Sequence, residues 1–246
     1  MAATLNLKLD AYTKLSQADR AKIELLSRRN VKEIAARRDL IREGDKPHSL
    51  YLLLAGWACR YKTLPDGRRQ IVALFLPGDL CDLHVYILKE MDHSVGAVTA
   101  LKAAEISRDD FEQLLTDHPR ITQALWWDEL VKIAIQREWT VNLGQRSAYE
   151  RIAHLLCECF LRLRAVGLTM NGSCPFPLTQ VDLADATGLT AVHVNRTLQE
   201  LRKDGLIELH SRTLSIPNLP ALKAAGLFND NYLHLDHEGA HLDANE

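Results

Sequence analysis

The chain has little of what marks a secreted, membrane-bound or metal-stapled protein. Its five cysteines, Cys59, Cys81, Cys157, Cys159 and Cys174, are scattered and odd in number, with no Cys-x-x-Cys pair. That argues against a disulfide scaffold or a cysteine-rich zinc site and fits a reducing cytoplasm. No apolar run approaches the roughly 20 residues needed to span a bilayer. The first eight residues lack the charged and apolar regions of a signal peptide, so neither a membrane nor export is expected. There is no P-loop, no Gly-x-Ser-x-Gly and no nucleophile–base set, so no enzyme is expected. Positive charge is missing from one end: no Lys or Arg follows Lys223, and the last 23 residues carry −5 against +3 for the remainder. Such an acidic, weakly apolar stretch, 229–246, is expected to be a mobile tail. The formal net charge of −2 is unlike that of a protein that coats nucleic acid nonspecifically, so DNA binding would have to rest on a local patch.

What is present is concentrated between Pro177 and Ile207. Thr179 and Asp182 make the S/T-x-x-D/E pattern that closes a helix N-terminus by reciprocal hydrogen bonds. Val181, Leu183, Ala184 and Ala186 supply an apolar side about two turns long, and Gly188 falls where a left-handed residue must end the helix. Thr190 then caps a second helix to about Lys203, with Val194, Leu198 and Leu201 as its buried stripe. Gly205 stops it. Leu206–His210 and Thr213–Ile216 flank Ser211-Arg212 as a hairpin wing. Capped helix pairs of this kind also occur in all-α proteins that never touch DNA, and local charge does not decide between them. The outward set on the second helix does: Ala191, Val192, His193, Asn195, Arg196 and Gln199 mix base-reading types with small residues. Arg can clasp guanine, Asn or Gln can pair with adenine, and Val can touch a thymine methyl. This is the pattern of a helix-turn-helix whose second helix enters the major groove.

Upstream, Gly44, Gly56, Gly67 and Gly78 punctuate short apolar runs at 49–55, 58–61 and 70–76, with Pro65-Asp-Gly67 as a turn. A small barrel or roll is expected, a β-sandwich being the alternative. Ser16 and Asp19 cap a helix to about Arg28. From Pro119 no breaker appears until Gly144, giving a helix of roughly 36 Å. Ala124, Trp127, Val131, Ala134 and Val141 form its stripe, widened by Trp126, Leu130 and Ile133. So apolar a helix needs cover on more than one side. Either its own domain buries it, or it pairs with the same helix of a second subunit, the preferred reading because palindrome readers are two-fold. Residues 147–163 read as a further amphipathic helix, and 167–177 as loop.

With Leu183-Ala-Asp-Ala-Thr-Gly-Leu-Thr-Ala-Val-His-Val-Asn-Arg-Thr-Leu198 and Leu76-Pro-Gly-Asp-Leu80 in this order, the chain resembles the Crp/Fnr family of transcription regulators over about residues 15–220. The resemblance implies an α+β chain with a cyclic-nucleotide-binding-like β-roll (1–118), a dimerisation helix (119–144) and a winged helix-turn-helix (145–228). It also implies a homodimer on two-fold DNA that contacts RNA polymerase, with a small signal sensed at the roll. It implies that the matching Arg196 is the main base reader, and Val192, His193 and Asn195 are expected to read bases beside it. Thr179, Thr190, Gln199, Arg202, Lys203 and Arg212 are expected to contact the DNA backbone.

The departures are informative. Cyclic-AMP-binding members carry a Gly-Glu pair and an Arg-Ser/Thr pair, whereas here the stretches read Gly78-Asp-Leu-Cys-Asp-Leu-His84 and Asp92-His-Ser-Val95. Asp82, His93 and Ser94 would line any effector pocket. A cyclic phosphate would lack its Arg clamp, so cyclic AMP is not expected. No cysteine precedes Cys59, which speaks against an iron–sulfur cluster. Haem on His84 or His93 is disfavoured too, and Cys157 and Cys159 read as small buried hydrophobes. His234, His237 and His241 with Asp236 read as tail rather than metal site. Val192 stands where many family members carry a Glu that accepts from cytosine. The alternative function is a roll sensor acting through protein partners without specific DNA binding.

Overall fold

The computed structural model describes residues 3–46, 48–83 and 88–235. Two helices, α1 (Ala3–Asp10) and α2 (Gln17–Arg28), precede the roll. The Ser16–Asp19 capping box forms as its spacing predicts. The roll is two four-stranded antiparallel sheets. One runs β1 (Val31–Ile34), β8 (Leu101–Ser107), β3 (Ser49–Ala55), β6 (Leu80–Cys81); the other runs β2 (Asp39–Ile41), β7 (Ser94–Ala97), β4 (Ala58–Thr63), β5 (Arg69–Phe75). The three apolar runs are β3, β4 and β5, and the four spaced glycines all have φ between 85° and 97°. At Gly56 the reason is also steric, since a Cβ there would lie 2.3 Å from the Ala100 carbonyl oxygen.

Helix α3 (Arg108–Asp117) leads into the long helix α4 (Pro119–Gln145). The expected stripe of α4 turns out to face its own chain. Ala124, Val131 and Ala134 are buried within the monomer, and Trp127 stacks on Tyr12 and meets His234 edge-to-face. Of the five residues assigned to dimerisation only Val141 is exposed. The apolar residues left uncovered are Trp126 (71% exposed), Leu130 (60%) and Ile133 (51%), followed by Val141 and Leu143. Both stripes satisfy helical spacing; the roll and α1 claimed one of them, which periodicity alone could not foresee.

Helix α5 (Ala148–Ala165), amphipathic in its residue pattern, is buried without interruption from Ile152 to Leu161, so its polar side is covered as well and it is a central helix. Its Cys157 and Cys159 are fully buried free thiols. The stretch read as loop contains β9 (Ser173–Pro175), which pairs with β11 (Thr213–Ser215). Beyond α8 (Leu219–Ala225), a 3₁₀ turn (Asp230–Leu233) buries Tyr232 and Leu233. The tail assignment that began at 229 therefore fails as far as Leu235, because apolar Tyr232 and Leu233 find cover on α4 and α5. His237, His241 and Asp236 of that tail lie outside the described residues, as does His84. No described helix is long and apolar enough to cross a membrane.

Candidate nucleic-acid interface

The helix-turn-helix is α6 (Gln180–Thr187) and α7 (Ala191–Lys203). The capping box of α6 closes as expected, Asp182 N–H donating to Thr179 Oγ1 at 3.2 Å and Thr179 N–H to Asp182 at 2.9 Å. Gly188, at φ 65°, ends the helix in the left-handed region. Thr190 caps α7 by accepting from the His193 N–H at 3.2 Å. Val194, Leu198 and Leu201 are buried, joined by Thr197, and each aliphatic side chain so buried stabilises the pair by about 1.5–3 kcal/mol. Val181 departs from the expected apolar side: it is 59% exposed.

Fixing that stripe turns the rest of α7 outward. Val192 is 81% exposed, and Asn195, Arg196, Gln199 and Lys203 are exposed, with His193 and Arg202 half-buried. The two helix-cap threonines differ in what remains available. The Thr179 hydroxyl donates to Asp182 at 2.7 Å as well as accepting from its N–H, so its capacity is committed. The Thr190 hydroxyl only accepts, which leaves its proton free of described partners. Arg202 donates to the Leu209 carbonyl at 3.3 Å and so ties the end of α7 to the wing.

The wing is the three-stranded sheet β10 (Glu208–His210), β11, β9. Ser211 (φ 48°) and Arg212 (φ 61°) make a two-residue turn with both residues left-handed, which presents the exposed Arg212 at its tip. The strand missed in the sequence did carry a signal: Asn171 (φ 50°) and Gly172 (φ 74°) are an Asn-Gly hairpin turn leading straight into β9.

Contacts between the roll and the reading unit had no local signal. Arg37, itself at φ 64°, donates to both oxygens of the buried Asp182 at 2.5 and 2.9 Å across 145 residues of sequence. Gln70 reaches the Ala186 carbonyl at 3.4 Å, and Arg69 approaches Asp185 at 3.9 Å. Thus α6 rests on β5 while the outer face of α7 stays clear. Burial tends to raise the Asp182 pKa, but the bonds from Arg37 and Thr179 outweigh it and hold the carboxyl below its usual range.

At the roll's signal position, Asp82 is 3% exposed and ion-paired to Arg60, and its second oxygen meets His93 Nε2 at 2.9 Å. His93 Nδ1 meets Asp92 at 2.5 Å. Ser94 Oγ accepts the Glu43 N–H at 3.0 Å. Of the three expected pocket residues, Asp82 and His93 come together and pair with each other, while Ser94 is bonded to the Glu43 backbone instead. Burial favours the neutral acid, yet the His93 bond and the Arg60 charge prevail and depress the Asp82 pKa to about 2. For His93 burial again opposes charge, and its contacts with Asp82 raise its pKa above the ordinary value.

A roll of two four-stranded sheets, a long helix and a winged helix-turn-helix define the class of protein that joins a β-roll domain to a DNA reader. Residues 31–118 match the cyclic nucleotide-binding domain and residues 150–225 the Crp-like helix-turn-helix domain. The chain is 34% identical over 176 residues to the transcriptional activator protein FnrL of Cereibacter sphaeroides, covering 70% of each. It is 33% identical over 193 residues to the transcriptional activatory protein AadR of Rhodopseudomonas palustris, covering 76% of this chain and 78% of that one. Its fold is similar to that of FixK2 from Bradyrhizobium japonicum, with a TM-score of 0.70 at 24% identity, covering 79% of this chain and 96% of the other. The chain belongs to the Crp/Fnr family: it is a DNA-binding transcription regulator, not an enzyme.

Proposed function

We propose that the protein acts in the cytoplasm as a homodimer that reads a palindromic DNA site through α7, Arg196 fixing a guanine in each half-site. The exposed, unpaired outer face of α7 carries this reading. Arg196 supplies a two-pronged donor for guanine O6 and N7, and Asn195 and His193 lie beside it for base or phosphate contacts. Val192 offers only an apolar contact, so the half-site gains a preference for a thymine methyl and makes no hydrogen bond to cytosine there. Thr190, Gln199, Lys203 and Arg212 serve the phosphates. Thr179 and Arg202 act as cap and wing tie, which tells against the first as a phosphate donor and limits the second. The dimer seam is Trp126, Leu130, Ile133 and Val141, the exposed stripe of α4. Contact with RNA polymerase is part of the reading, supported by relatives named as activators.

The same reading has no cyclic nucleotide and no resident metal or haem. Arg60 and His93 already neutralise Asp82, so a cyclic phosphate would meet a satisfied ion cluster instead of an open clamp. Burial pushes the Cys59 thiol up to about 11 and those of Cys157 and Cys174 up to about 12, which disfavours the thiolates that a cluster needs.

In vitro selection from a random duplex library tests the function. The expected product is a two-fold site with guanine conserved in each half. Recovery of no sequence preference would favour a roll sensor acting through protein partners.

A further inference from the structure

Two segments lie outside both matched domains: α1 with the residues just after it, before the roll, and residues 226–235, after α8. Far apart in the chain, they close on the same helix. Trp127 of α4 stacks on Tyr12 with ring centroids 6.4 Å apart and meets the His234 ring at 6.0 Å. Leu9 and Tyr12 of the first segment and Tyr232 and Leu233 of the second are buried. Gly226 lets the second segment cross α5 closely, since a Cβ there would lie 2.7 Å from the His154 amide nitrogen.

A buried polar chain joins the same two segments through the body of the molecule. Tyr232 donates to Glu158 at 3.0 Å, and Arg162 donates to Glu158 at 3.3 Å and to Asp79 at 2.9 Å. Lys8 then pairs with Asp79 and Asp128 at 2.6 Å each. The links pass in turn through the last segment, α5, the roll, α1 and α4. Trp139 of α4 adds a further donor to Glu158 at 3.1 Å. Glu158, Asp79 and Asp128 are all buried. Removing one member leaves the next charge unpaired away from water, which costs more than the bond itself, so the links stand or fall together.

Rings and polar chain together bridge a joint. Helix α4 ends at Arg146, whose ψ of 141° breaks the helix before α5 begins. Helix α5 carries the reading head, packing against α6, α7 and α8. The segment after α8 crosses the joint: Arg146 donates to the Leu227 carbonyl at 3.3 Å, and His234 reaches Trp127 in the first half of α4.

We propose that the two segments form a clasp that locks the reading domain onto the long helix and fixes the placement of α7 relative to the exposed stripe of α4. With the clasp closed, α7 meets DNA already placed. With it open, that order must be made on binding, and affinity falls. This last step rests on the DNA-binding reading; the lock does not.

The test is hydrogen exchange, read by mass spectrometry on the full-length protein without DNA. Tyr232→Phe removes one hydroxyl bond from the polar chain and keeps the ring. It speeds exchange about tenfold in 229–235, and also in α1 at the far end of the chain and across the joint at 142–150. Tyr12→Leu, which removes the ring stacked on Trp127, speeds exchange in 229–235 in turn. Trp127→Phe serves if that variant does not fold, and it too must loosen both segments. Ile41→Val, a small loss of stability in the roll core, leaves all three regions as in wild type. Acceleration confined to each variant's own segment, or equal acceleration by Ile41→Val, overturns the clasp. A selected DNA duplex is then titrated with wild type and with Leu233→Asp, which puts a carboxylate at a buried position and opens the clasp outright; Tyr232→Ala serves if it does not fold. Affinity falls about tenfold while exchange in α6 and α7 stays as in wild type. Unchanged or tighter DNA binding overturns the positioning step alone, and absence of any specific DNA site is a failure of the DNA-binding reading instead.

Discussion

On α7, the side chains of Val192, Asn195, Arg196 and Gln199 stand in solvent with no partner drawn from the described residues. In the roll, Asp82, His93 and Ser94, the residues expected to line an effector pocket, are each engaged by Arg60, Asp92 or Glu43. The first region holds its polar groups in reserve for a ligand. The second has spent them on itself. A site that must bind something outside the chain cannot also be satisfied within it, because an incoming group would have to replace bonds already made. The contrast separates a polar face left open to solvent from a polar cluster closed on itself within the same fold.

The strongest way to break the contrast is to remove the dimer seam. Ile133→Glu with Leu130→Glu places two charges on the exposed stripe of α4, and truncating such an anchor costs on the order of 2 kcal/mol or more. Analytical ultracentrifugation should then show monomers, with DNA affinity falling far below that of any single change on α7. The matched pair Ala124→Ser and Val141→Glu sharpens this: only the second, exposed position should shift the association constant.

Next in size is Arg196→Ala, expected to cost about 1–3 kcal/mol on a selected duplex and to relax the guanine preference. Lys203→Ala and Arg212→Ala should instead weaken all duplexes alike and each lower the salt slope by about one. A uniform loss for Arg196→Ala as well would assign it to the phosphates.

The roll's ion cluster makes a prediction with a sign. The folded pKa of Asp82 is depressed to about 2. Its contribution, on the order of 2 kcal/mol, is complete above the ordinary carboxylate range and is lost as pH falls through the folded value. His93 is shifted the other way. What it adds is fully present below the ordinary histidine pKa and is lost as pH rises through the raised folded value. Denaturant unfolding of His93→Ala should therefore show its largest deficit against wild type near pH 5.5 and a shrinking one toward pH 9. A constant deficit would mean that the ring acts by packing alone. The smallest effect is Val192→Glu, which restores an acceptor and should change base preference at one position per half-site, by about 1 kcal/mol, without altering dimerisation.

Much of the reading head was legible before any fold was known. Thr179, Asp182, Gly188 and Thr190 fix helix ends through bonds that span three or four residues, and Val194, Leu198 and Leu201 decide which face turns outward. The Asn171-Gly172 turn was equally local and was passed over because the strand after it is three residues long. The long helix was legible in extent but not in orientation. Its two apolar stripes each satisfy the helical period, and the choice between them depended on α1, β5 and the 3₁₀ turn packing from elsewhere. Residues 229–235 were illegible for a related reason: their composition is acidic, and the cover for Tyr232 and Leu233 lies on α4 and α5.

The sequence by itself determined the helix-turn-helix, its wing, strands β3, β4 and β5 of the roll and the candidate reading set on α7. Those features depend on caps, turns and periodicity, which act within a few residues. Tertiary structure alone decided that Arg37 grips Asp182, that Arg60 and His93 close on Asp82, and which apolar stripe of α4 stays exposed. Each of these joins groups far apart in the chain, and a charge or an apolar face has no fixed partner until folding brings one within a few ångströms and takes water away.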